Sequence, residues 1–149
     1  MIQEYFGNQE WIRGASFYLR YQVFVLEQGI SPKLEFDEKN TDYHYFLLMN
    51  AATPVATLRY KKKSAACFQP DRFCVAKDYR HQGFGSRLLL LAEEKAKQEG
   101  FIESYLVAEK TALEFYSKQG YQVCTKPFIE DGLPCVGMKK QLIEEISKT

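Results

Sequence analysis

Among 149 residues there are only two histidines, and the four cysteines, Cys67, Cys74, Cys124 and Cys135, form no CxxC pair. Without thiolate pairs or a histidine cluster the usual zinc spacings are missing. No metal site is expected, and the cysteines read as free thiols in a reducing, cytoplasmic compartment. Charge of one sign is also lacking, since 20 Lys and Arg face 19 Asp and Glu for a net +1. That leaves no global field to draw in nucleic acid or anionic lipid. The basic run Lys61-Lys62-Lys63 lies within β-like sequence and reads as a solvated strand end or hairpin turn. Long apolar stretches are missing too. The longest aliphatic run, Leu88 to Ala92, falls far short of the roughly 20 residues a membrane span needs. Met1 to Glu10 has no basic-then-apolar signal pattern.

The composition is that of an ordinary globular chain, 46% hydrophobic and 26% charged. No repeat or linker divides it, so residues 1–149 read as one domain, a size that buries about two-thirds of the unfolded surface. Apolar residues at Trp11, Ala15, Tyr18, Leu19, Val23 and Leu26 recur three or four apart and predict a helix ended by Gly29 and Pro32. A polar loop is expected from Ser31 to Asp42. Tyr43–Met49 and Val55–Tyr60 predict an antiparallel hairpin, and Cys67–Val75 a third run that is either irregular near Pro70 or begins properly at Asp71. Phe84, Leu88, Leu91 and Ala92 mark a second helix, stopped by Gly100. Ser104–Val107 reads as a strand, Lys110–Gln119 as a helix, and Tyr121–Lys126 and Leu133–Leu142 as closing strands. The strand-helix-strand unit over 72–107 requires a parallel pairing.

The segment Arg80-His81-Gln82-Gly83-Phe84-Gly85-Ser86 joins a strand to a helix. Such a turn leaves the first helical N–H groups without intrahelical partners, and the helix dipole makes them an anion site. Gly83 and Gly85 would let a bulky phosphate approach the backbone; they would equally permit close helix-strand packing. Arg80 and Arg87 could add charge-assisted contacts. The segment is neither a P-loop nor a dinucleotide-binding fingerprint.

Arg80-x-x-Gly83-x-Gly85 resembles the R/Q-x-x-G-x-G/A signature of the GNAT superfamily of N-acetyltransferases. Ala112 to Tyr121 resembles that family's A-x-x-F-Y-x-x-x-G-F/Y element. A narrower likeness, to the ElaA-like subgroup, lies in Arg20 to Gln28 with Pro32, Glu35 and Asp37, and in Glu130-Asp131-Gly132-Leu133-Pro134-Cys135-Val136-Gly137-Met138. The resemblance implies an α/β single-domain fold. Its sheet would be mixed and mostly antiparallel, with a central splayed parallel strand pair, Arg72–Val75 and Ser104–Val107, flanked by helices. It implies acetyl-CoA as co-substrate, bound by the backbone of Phe73, Cys74 and Val75 and by the turn Arg80, His81, Gln82, Gly83, Phe84, Gly85 and Ser86.

The Val75 amide would then stabilise developing charge on the thioester oxygen. Tyr116 matches the tyrosine that protonates the leaving thiolate; read from the residues alone, it is equally a buried aromatic. An amine must lose a proton to attack. Glu27 is the first candidate base, because desolvation at a helix end would raise its pKa; a lid salt bridge or a solvated carboxylate is the other reading. Glu35, Asp37 and His44 fall in the same acceptor region, His44 also reading as a packed core residue. Arg59 could bind an acceptor carboxylate or pair with an acid. Two positions depart from the pattern: Cys135 stands where the subgroup has His, and Glu109 where many members have Asn. The expected activity is acetyl transfer to a primary amine, most simply of a small molecule, by direct attack in a ternary complex. The alternative is a non-catalytic acyl-CoA-binding module. An aromatic content of 15% also suggests a homodimer through an exposed apolar face.

Overall fold

The computed structural model describes residues 1–39 and 43–143; Asn40 to Asp42 of the expected loop lie outside them. Its strands are β1 Ile2–Gly7, β2 His44–Asn50, β3 Thr53–Lys62, β4 Cys67–Val75, β5 Glu103–Glu109, β6 Gln122–Val123, β7 Phe128–Glu130 and β8 Leu133–Gln141. Its α-helices are α1 Glu10–Arg20, α2 Pro32–Glu35, α3 Phe84–Gln98 and α4 Leu113–Lys118. The strand order is β1-β2-β3-β4-β5-β8-β6, with β7 on β8. The sheet is thus mixed, with β4 and β5 parallel and registered at Cys67↔Glu103 and Phe68↔Ser104. No helix among the described residues is long and apolar enough to cross a membrane.

The chain forms two compact units, Met1–Tyr60 with Asp71–Ala92, and Lys61–Pro70 with the chain from Glu93 onward. In the first unit β2 is buried at Tyr45, Phe46, Leu47, Leu48 and Met49 in succession, so both its faces are covered. It pairs antiparallel with β1 and β3, as the predicted hairpin requires. The inward face of α1 differs from expectation. Ile12, Ser16, Leu19 and Val23 are buried, whereas Trp11, Tyr18 and Leu26 are exposed. The 4-3-4 spacing of the buried set is the true helical stripe. Ser16 earns its inward place through a 2.8 Å hydrogen bond with Thr57 Oγ1. Nor does α1 continue as an α-helix: over Tyr21–Glu27 it widens into a π-helix, with Gln28 N–H bonding Val23 O at 3.1 Å. The expected polar loop contains α2, and Glu35 within it is buried.

In the second unit β5 alternates half-buried and buried residues and pairs with β8 along its whole length. The strand expected over Tyr121–Lys126 shrinks to two residues, and β7, which was not expected, pairs with β8. The Asp131-Gly132 turn, with φ of 50° and 79°, is the local signal for that hairpin. Near the C-terminal end of β8, Tyr121 donates to Glu93 Oε2 at 2.9 Å and lies 2.8 Å from Ser104 Oγ, while Lys140 Nζ reaches Glu93 Oε1 at 2.7 Å. Glu93 is almost fully buried. Removing its carboxylate leaves the Lys140 ammonium without its acid and the Tyr121 hydroxyl with Ser104 alone, so Glu93→Ala should lower stability by about 3 kcal/mol. Urea unfolding of the variant, set against Lys140→Met and the double mutant, checks both the loss and the coupling.

Candidate active site

The turn into α3 has the backbone of an anion site. His81 and Gly83 both adopt left-handed φ, 63° and 84°, which is costly for histidine and free for glycine. Alternating conformations of this kind turn successive N–H groups to one side. The first α3 bond runs from Arg87 N–H to Gly83 O at 3.0 Å, so the amides of Phe84, Gly85 and Ser86 precede the intrahelical ladder. A Cβ placed on Gly83 would meet nothing within 4 Å; glycine there serves φ and open approach rather than packing. Phe84 is seated edge-on against Tyr79, and Tyr79 Oη accepts from Asn50 Nδ2 at 3.1 Å. His81 and Gln82 are exposed, with Gln82 Nε2 bonding Asp78 O.

The arginines near the turn are engaged. Arg80 Nε donates to Val75 O at 3.0 Å, and its two terminal nitrogens grip Glu27 at 2.9 and 2.8 Å. Arg87 pairs with Glu4 at 2.9 Å. The consequence for Glu27 is the reverse of that expected from desolvation. The Arg80 hydrogen bonds, ahead of burial, hold its carboxyl below the usual range, which weakens it as a base. Val75 is fixed from both sides of its C-terminal peptide, because Ala76 N–H also bonds Val55 O at 2.8 Å. Cys74 points into the core with Ile12, Leu19 and Val23, and burial pushes its thiol pKa up, so only its backbone is left to meet a ligand. Phe73 is half-buried.

Glu35, Asp37 and Arg59 converge on an ionic cluster. Arg59, 2% exposed, is held by Asp71 at 2.9 Å, Asp37 at 2.8 Å and Glu38 at 3.0 Å, with Tyr43 over its face. It is thus a partner of acids. Arg20 is fully buried between Phe17 and Phe36 and binds Glu35 and Glu38. Burial pushes the Glu35 carboxyl up, against the pull of Arg72 and Arg20. At Glu38 burial pulls the same way, but the Arg20 hydrogen bond and charge win and its pKa falls. From sequence alone Glu38, Asp71 and Arg72 do not stand out as cluster members. The available signal was two adjacent charged residues inside a strand, where alternation allows only one to face inward. His44 stacks on Phe6 at 5.5 Å, the packed role.

The second unit carries the remaining candidates. Tyr116 packs edge-on against Phe115 and Tyr121. The residue is half-buried, yet desolvation of its hydroxyl, with the Glu109 charge adding, raises its pKa, so it is held protonated. Burial alone raises Glu109. Cys135, opposite Glu109 in the β5–β8 register, is buried and donates to Leu133 O at 3.4 Å. Burial followed by Glu130 and Glu109 raises its pKa, so it is a thiol rather than a thiolate nucleophile. Among the described residues no cluster of ligand side chains suits a metal.

Against known proteins, residues 17–142 match the acetyltransferase (GNAT) domain family. The Bacillus subtilis protein YjcF, named an uncharacterized N-acetyltransferase, is 33% identical over 135 residues, 89% of this chain and 94% of its own. A Lactobacillus plantarum protein of known structure is 38% identical, with a TM-score of 0.91 over 95% of this chain and 99% of that one. Escherichia coli ElaA is 25% identical, with a TM-score of 0.83 over 95% and 100%.

The Glu27–Arg80 pair makes a pH prediction. A carboxylate held below its ordinary pKa of about 4.3 contributes its full stability above that value and loses it as pH falls through the lower folded value. Both side chains are about one-third exposed, so Glu27→Gln should cost no more than about 1 kcal/mol at neutral pH. Thermal midpoints of variant and wild type should converge on acidification. A gap that survives below glutamate protonation would assign the effect to packing.

Proposed function

Given that the chain belongs to the GNAT acetyltransferase family, we propose that it transfers an acetyl group from acetyl-CoA to a primary amine of a small molecule, by direct attack in a ternary complex. The observation that carries the cofactor half is the turn itself, with left-handed His81 and Gly83 at the head of a 15-residue helix. Backbone amides there supply the phosphate site, and open space at Gly83 fits a bulky anion. The arginine charge near the turn is already balanced by Glu27 and Glu4, so main-chain N–H groups rather than guanidiniums carry the recognition.

The chain's own groups then take these roles. Phe73 and Val75 offer backbone donors and acceptors to the pantetheine arm, and Val75 N–H is aimed at the thioester oxygen, where a preorganised donor lowers the barrier most. Tyr116, held protonated by burial, gives its proton to the departing thiolate. Glu27, with its pKa lowered, orients Arg80 and through it the Val75 peptide; this is a better use of it than proton abstraction. The acceptor amine therefore sheds its proton through water or another group. The four cysteines are free, which supports a reducing cytoplasmic setting. Replacement of the subgroup's histidine by the buried thiol of Cys135 favours a second reading, an acyl-CoA-binding module without turnover.

Acetyl-CoA at 100 times its dissociation constant should stabilise the fold by about 2.7 kcal/mol. A thermal midpoint indifferent to every acyl-CoA would sink the proposal. Release of CoA thiol on adding a panel of primary amines separates enzyme from binding module. Gly85→Ala, in the first turn of α3, should leave stability unchanged or raise it by about 0.5–1 kcal/mol while weakening CoA binding about tenfold. A merely packing glycine would show the reverse.

Tyr116→Phe tests the acid. Turnover should fall by about 10²-fold, less at low pH, where solvent can protonate the thiolate, with acetyl-CoA affinity retained. Full turnover in the folded variant would remove Tyr116 from the chemistry.

A further inference from the structure

In a regular strand neighbouring side chains leave on opposite faces. Asp71 and Arg72, consecutive in β4, break this rule. The Asp71 carboxylate accepts from Arg59 Nε at 2.9 Å and Nη2 at 3.2 Å. Arg72 Nη2 donates to Asp37 Oδ2 at 3.1 Å and to Leu34 O at 3.4 Å. Both side chains thus enter one ionic cluster. The backbone cause is at Arg72, whose φ is 50°, a left-handed conformation inside a strand. For a long side chain such a conformation is strained and persists only where the surroundings over-determine it. Arg72 has neither glycine's freedom nor the short polar side chain that eases Asn or Asp into this region. Its ties to the α2 segment supply the determination.

Those ties do not maximise bonding. Arg72 Nε is buried without a directed hydrogen bond, although Glu35 Oε2 lies 3.3 Å away. What they secure is the direction of the chain that follows. The next residues are Phe73, Cys74 and Val75, and their far end is pinned by Arg80 on Val75 O and by Val55 on the Ala76 amide. The stretch is clamped at both ends.

We propose that the Glu35–Asp37–Arg72 cluster is a positioning device: it holds Arg72 left-handed and so sets the direction in which Phe73–Val75 present their N–H and C=O groups to acyl-CoA. Arg72 is a positioning residue that touches neither the acyl group nor the amine. The inference rests on the acetyl-CoA reading above.

Two variants separate this role from simple stabilisation. Arg72→Gly keeps the left-handed backbone accessible but removes every tie. Asp37→Asn is milder, since the Asp37 side chain is 44% exposed and Arg59 retains Asp71 and Glu38, and it serves if the glycine variant does not fold. Amide hydrogen exchange at Phe73, Cys74 and Val75 and calorimetric acetyl-CoA binding are measured on wild type and both variants. Exchange should quicken about tenfold at these three amides, and the dissociation constant should rise about tenfold. Exchange around Tyr121 and Glu93 should stay as in wild type. Unchanged exchange and affinity in a folded variant overturn the proposal, and so does faster exchange with unchanged affinity, which would leave the cluster a structural brace. Wild type that fails to bind acetyl-CoA overturns the cofactor reading and with it the purpose of the clamp; that failure shows in the wild-type binding alone, while the exchange ratio still reports whether the clamp exists.

Discussion

Two guanidinium groups, Arg20 and Arg59, lie almost wholly out of water, and the first unit is arranged around satisfying them. An uncompensated buried charge costs several kcal/mol, so each arginine must recruit carboxylates from wherever the chain can bring them. Glu35, Asp37 and Glu38 come from the segment around α2 and Asp71 from β4, while Arg72 adds a third guanidinium that shares Glu35 and Asp37. Aromatic faces from Phe17, Phe36 and Tyr43 close the remaining sides. A stretch that composition alone would leave as a solvated loop is thereby drawn inside, and a strand is twisted into a left-handed step to meet it. Burial of this kind confers little net stability. What it confers is a unique arrangement, because few alternative packings leave every one of these charges paired.

The same logic operates at smaller scale beside the turn into α3. Arg80 spans the π-helical end of the first helix, the end of β4 and the turn, by gripping Glu27 and Val75 O together. A planar five-donor fork can hold a carboxylate and a carbonyl at once, which a lysine at that position could not do with the same geometry. The motif arginine is therefore tied into the fold, with its fork shared between Glu27 and Val75 O. The second unit repeats the pattern with Glu93, Tyr121, Ser104 and Lys140.

Much of this was legible in the sequence. The strand-to-helix turn could be read because its requirements are local: glycine at a left-handed position, a helix start immediately after it, and a preceding strand. The β2–β3 hairpin and the parallel pairing of β4 with β5 followed from apolar runs and connection length. The inward face of α1 is offset by one position from the large apolar residues, since Trp11 and Tyr18 look like core residues while Ser16 is the one buried, with Thr57 as its partner. β7 escaped because three residues after Pro127 carry no periodicity of their own, although Asp131-Gly132 announced the turn.

Residue order thus determined the family motif, the longer helices and strands, and the chemical type of the candidate groups, because these depend on spacings within a turn or two of the chain. Tertiary structure alone decided the protonation behaviour and duty of those groups. Glu27 and Glu35 are the same side chain eight residues apart. One meets Arg80 near solvent and its pKa falls; the other is buried and its pKa rises despite its arginine neighbours. Desolvation and charge pairing depend on which distant elements arrive beside a carboxyl, and spacing along the chain carries no record of them.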